Sequence, residues 1–129
     1  MRVRFSGVRQ SVVALALYGC LSVSAAAGED AMTRANRSAY EAAMTCFVAN
    51  GIVTGDKRQS GDKKQEAVFE AKARQSFDIA VQLGHKLGYS GTHINEDFGL
   101  AQAREIGRLM TDSAYFRRTA ATCKALGLM

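Results

Sequence analysis

The sequence predicts an all-α protein: a small four-helix bundle or an orthogonal array of the same helices, with one disulfide linking the first helix to the last. Three observations carry this. Proline, the residue that most often interrupts helices, does not occur among the 129 residues, and the 47% apolar content is that of an ordinary globular core. Apolar residues recur at steps of three and four through most of the chain beyond residue 30. Two cysteines, Cys46 and Cys123, lie near opposite ends of that helical stretch.

The first segment sets the compartment. Arg2, Arg4 and Arg9, with no acid among them, precede the apolar run SVVALALYGCLSV and the small residues SAAAG. That is the order of a secretory signal peptide. It divides the chain into a signal segment, 1–27, and one helical domain, 28–129, with cleavage after Ala27 or, as second choice, Ala25. Leu17, Tyr18, Gly19 and Cys20 also resemble the lipobox of bacterial lipoproteins, which would make Cys20 a lipidated anchor. The apolar run is short for the ~20 residues that span a bilayer, and no segment of the mature chain is apolar enough to be transmembrane. The expected location is periplasmic or secreted.

Without 1–27 the 17 Lys and Arg lose three, leaving 14 against all 12 Asp and Glu, a net charge of +2. A domain so near neutrality has no field to steer it onto nucleic acid, so nucleic acid is excluded as a partner. In an oxidising compartment the pair Cys46 and Cys123 reads as a structural disulfide. Closing a loop of about 80 residues stabilises a fold by about 4 to 5 kcal/mol on the chain-entropy estimate. A redox-active pair would call for Cys-x-x-Cys spacing, which is absent.

The elements follow in order. Residues 31–50 form the first helix, with Met32, Ala35, Ala39, Ala43, Cys46 and Phe47 on its inner face and Gly51 ending it. A tandem six-residue duplication follows, TGDKRQ at 54–59 and SGDKKQ at 60–65, which reads as a solvated loop whose Ser60 or Asp62 caps the next helix. The second helix runs from Lys63 to about Leu87, with Phe69, Ala73, Phe77, Ala80, Gly84 and Leu87 inward and Glu70 spaced to pair with Arg74. Gly88 ends it, and Tyr89 folds back on its last turn. Ser90 or Thr92 caps a third helix reaching about Met110, in which Ile94, Phe98, Ala101, Ile106, Leu109 and Met110 make two overlapping apolar faces. Thr111 or Asp112 starts a fourth, with Phe116, Ala120, Cys123 and Leu126 inward before Gly127.

Signals for chemistry are sparse. His93, Glu96 and Asp97, three and four residues apart, are the one constellation resembling a metal or acid/base site, with His85 a short way upstream; the spacing matches no His-Glu-x-x-His metalloprotease signature. A small enzyme using these three residues is the alternative function, and a lipoprotein anchored at Cys20 a third. Met32, Met44, Met110 and Met129 are dispersed and read as core filler rather than a copper site. No cofactor is expected. Arg104, Arg108, Arg117 and Arg118 crowd the last two helices, and with Tyr115 they form a candidate face for an acidic partner or anionic surface. The reading that follows is a non-enzymatic periplasmic or secreted accessory protein that binds an envelope protein or the anionic envelope surface.

Overall fold

The computed structural model describes the backbone from Gly7 to Met129 and the side chains from Ala31 onward. The predicted signal segment 1–27, its cleavage point and Cys20 lie outside the described side chains. Four helices and no strand make up the described chain: α1 (Gly7–Ser60), α2 (Lys63–Lys86), α3 (Gly91–Thr111) and α4 (Ser113–Ala125). The chain divides into two units, Met1–Ala35 and Asn36–Met129. In the first, the backbone from Gly7 is helix; the core belongs to the second. Among the described residues no helix is long and apolar enough to cross a membrane.

Helix α1 runs further than its sequence predicts. Gly51 does not end it; the helix continues through the first hexapeptide copy to Ser60. A glycine stops a helix by turning to positive φ, and the first to do so is Gly61, at 79°. The expected loop over both hexapeptides is therefore only Gly61 and Asp62. Tertiary contact explains the extension. Val48, Ala49, Asn50 and Thr54 are buried, and the Asn50 amide donates from Nδ2 to the Leu128 carbonyl at 2.6 Å and to the Cys46 carbonyl at 2.9 Å. The buried stripe also starts later than expected, at Tyr40, and Met32, Ala35 and Ala39 are exposed.

The caps follow the sequence. Asp62, Ser90 and Asp112 each accept a backbone N–H three residues on, from Gln65, His93 and Tyr115, at 3.0 to 3.1 Å. Glu70 and Arg74 pair on the outer face of α2 at 3.2 Å. Beyond Gly88 the Tyr89 N–H donates to the Gly84 carbonyl at 2.9 Å, closing α2.

Contacts between elements give the topology. Phe47 and Phe98 both pack on Phe77, and Gly84 meets both Tyr40 and Ile94, so α1, α2 and α3 run up, down and up around one core. α4 packs on α1 and α3. Its first turn reaches α3 through Tyr115 and Glu105, its last turn is tied to α1 by the Cys46–Cys123 disulfide, and Gly127, two residues beyond it, accepts from Lys72 of α2. Leu126, expected inward, is 53% exposed; Gly127, at φ 72°, turns the chain so that Leu128 enters the core in its place. The outer of the two apolar faces of α3 is also exposed, with Ile106 and Met110 on it, whereas Ile94, Phe98, Ala101 and Leu109 are buried.

A Cβ built on Gly84 falls 2.7 Å from Ile94 Cδ1, whereas one on Gly51 or Gly55 meets nothing within 4 Å. Gly84→Ala is therefore expected to destabilise the fold by about 1 to 3 kcal/mol through overpacking. Gly51→Ala and Gly55→Ala should each stabilise it by about 0.5 to 1 kcal/mol, because glycine is the costlier residue inside a helix. Urea unfolding of the three variants decides; equal shifts at all three positions would refute the close approach at Gly84.

Candidate functional site

Along the seam between α1 and α3 the surface opens into clefts. One, of about 640 Å³, is lined by Gly51, Ile52, Val53 and Gly55 of α1, by Leu109 and Met110 of α3 and by Phe116 of α4, with Asp56, Lys57 and Gln59 at one end. It exists because α1 presents no side chain at Gly51 and Gly55, one helical turn apart on the same face. A second cleft, of about 220 Å³, shares Gly51 and Ile52 and continues past Phe47, Val48, Gln102 and Ile106. Together they make a groove along α1 from Phe47 to Gln59, about 18 Å at 1.5 Å per residue, apolar as far as Gly55 and polar beyond it. The signal for it was present in the Gly-x-x-x-Gly spacing of 51 and 55. Reading Gly51 as a helix stop concealed it.

The predicted cationic face is partly consumed by internal contacts. Glu105 is buried in the contact between α3 and α4; it accepts from the Tyr115 hydroxyl at 2.7 Å and from Arg104 Nε at 3.0 Å. Arg108 stacks over the Tyr115 ring, 3.7 Å from its centroid. Burial pushes the Glu105 carboxyl upward, but the Tyr115 hydroxyl and the Arg104 guanidinium outweigh it and hold the group below the usual carboxylate range. Tyr115 is raised in turn, by burial and by the bond it donates. Arg117 and Arg118 are exposed on α4, with no ion pair among the described residues.

Of the three residues proposed for chemistry, two come together. His93 Nε2 is 3.1 Å from Asp97 Oδ2, which also accepts from the buried Tyr40 hydroxyl at 2.7 Å. The His93 ring stacks on Tyr89, and Tyr89 meets Tyr40 edge-on. Burial, and then the bond to Asp97, hold the Tyr40 phenol well above its ordinary range. Glu96 is exposed and forms no ion pair among the described residues. His85 is exposed on the last turn of α2. Among the described residues no three His, Cys, Asp or Glu side chains are grouped as metal ligands. Tyr40 and Tyr89, which complete the cluster, come from α1 and from the α2–α3 connection, so only the fold reveals them.

Comparison with known protein families, with curated proteins and with solved structures finds no match.

The Glu105 contact makes a pH prediction. A carboxyl whose folded pKa is depressed stabilises the fold above its unfolded value, and that contribution is lost as the pH falls through the folded value. Tyr115→Phe, which removes one donor from the carboxylate, should therefore cost about 1.5 to 3 kcal/mol at pH 7 and progressively less as the pH falls through the folded value of Glu105. A series of urea unfolding curves from pH 7 downward tests this, and a loss that stays constant until the fold itself is lost would show that Glu105 is not the group responsible.

Proposed function

We propose that this is an exported, non-enzymatic accessory protein that works by taking an apolar helical segment of an envelope protein into the groove between α1, α3 and α4. The observation that carries the reading is the pair Gly51 and Gly55. Two glycines inside a long helix weaken it, yet here they leave the floor of a groove whose walls are Ile52, Val53, Leu109, Met110 and Phe116. A groove three helical turns long suits an amphipathic helix with apolar residues at i, i+3, i+4 and i+7.

The buried disulfide supports the export half of the reading, since such bonds persist in oxidising compartments. The remaining cationic side chains, Lys57 at the end of the groove and Arg117 next to Phe116 in α4, suit a partner with acids flanking its apolar stripe.

Gly55→Leu projects a side chain into the groove from a position where a Cβ meets nothing within 4 Å. In the native host, a photo-crosslinking residue at Ile52 should capture a defined envelope protein, and Gly55→Leu should reduce that capture at least about tenfold, the effect of roughly 1.4 kcal/mol, with no loss of thermal stability. The same crosslinker at exposed Thr122 should not capture it. Capture unaffected by Gly55→Leu would refute the groove; reduced capture on charge reversal of Arg117 and Arg118 alone would move the contact to the α4 surface.

A further inference from the structure

Helix α3 carries a second, largely exposed apolar face, whose edge at Ile106 and Met110 also borders the groove. Leu100, Ile106 and Met110 are 64%, 42% and 69% exposed, and with Gly99, Ala103 and Gly107 they recur at steps of three and four along one side. No charge interrupts that side from Gly99 to Met110. The charged residues of the same stretch are turned elsewhere: Glu105 is buried, Arg104 is bonded to it, and Arg108 lies over Tyr115. Exposed apolar patches of this kind mark association surfaces.

We infer that this face is the interface of a two-fold homodimer in which the α3 helices of two copies pack antiparallel, crossing at Ala103. A second copy fits for two reasons. The first is the symmetry of the sequence about Ala103. In an antiparallel pair the residues equally far before and after it face each other, which sets Gly99 against the partner copy's equivalent of Gly107 and Leu100 against that of Ile106, so around the crossing small residues meet small and large meet large, while Met110 falls beside the other copy's Glu96 at the edge. Small residues at the crossing let the two backbones approach closely. The second is direction: antiparallel packing opposes the dipoles of the two α3 helices. Parallel packing would set like ends together.

A contact of three helical turns is at the low end of specific interfaces, below about 1,200 Å². Met110 lies two turns from the crossing and also lines the wider cleft, so the dimer contact ends where that cleft begins.

The test uses the full chain with Cys20→Ser, so that the only added thiol is the engineered one. Ala103 is exposed, and Ala103→Cys leaves the core untouched. Under mild oxidation at micromolar protein, Ala103→Cys should form a linked dimer at least about tenfold faster than Thr122→Cys, because pairing holds the two thiols at millimolar effective concentration. Gly99→Cys should link to Gly107→Cys in a mixture and not to itself. Ala103→Glu should sediment as a monomer with unchanged helix content, whereas Gly55→Leu, which closes the groove, should leave the dimer intact; the two readings therefore fail separately. Linkage of Gly99→Cys to itself would replace the antiparallel pair by a parallel one and overturn the inference. Linkage at Ala103 no faster than at Thr122 would also overturn it, and binding of the monomer to lipid vesicles would then assign the face to a membrane surface.

Discussion

The disulfide between Cys46 and Cys123 is the constraint on which the rest of the second unit depends. Both residues are buried, their Cα atoms are 5.6 Å apart, and the bond spans 77 residues of chain. Its estimated contribution, about 4 to 5 kcal/mol, is large beside the 5 to 15 kcal/mol of a whole small domain. It also fixes geometry. By holding the last turn of α4 against the C-terminal third of α1, it brings Leu128 to Asn50 and sets Phe116 across from Gly51 and Gly55. The core cluster of Tyr40, Ala43, Met44, Ala80, Ile94, Phe98 and Ala101 surrounds it.

What the sequence revealed and what it hid divide along the range of the interactions. Helix starts were legible, because a cap is a contact over three residues, and Asp62, Ser90 and Asp112 all do what their positions suggest. The end of α1 was not. The hexapeptides TGDKRQ and SGDKKQ are almost the same, yet the first is helix and the second supplies the turn at Gly61. Local preference cannot separate two copies of one sequence. The difference lies in burial: Thr54, at the head of the first copy, is buried and bonded back to the Asn50 carbonyl at 2.8 Å, while its counterpart Ser60 is exposed. A contact across 78 residues, from Asn50 to Leu128, keeps the helix going where glycine would otherwise stop it.

The same limit applies to the candidate sites. A crowd of arginines reads as a charged face until the fold shows a buried acid beneath it, and Glu105 takes up Arg104 directly and Arg108 by way of the Tyr115 ring. His93 and Asp97 are four residues apart, so their pairing was legible; that Tyr40 closes on the same carboxylate oxygen was not. The two overlapping apolar faces of α3 were visible as periodicity. Which of them meets the core was decided by the position of α2, whose Gly84 allows Ile94 to approach and leaves Leu100, Ile106 and Met110 outside.

These features connect through stability. Two glycines within α1 weaken that helix by up to about 2 kcal/mol relative to alanine, and each large apolar side chain left in water forgoes about 1.5 to 3 kcal/mol of burial. A small domain without a covalent clasp would approach its unfolding threshold under such losses. With α1 and α4 joined, the fold tolerates an open groove at Gly51 and Gly55 and an uncovered face on α3. Both open surfaces border the same rigid seam between α1 and α3, and neither requires the core to rearrange before a partner docks. Binding to a preformed surface avoids the ordering cost that a flexible segment would incur, so the disulfide that stabilises the fold also preorganises the surfaces it leaves exposed.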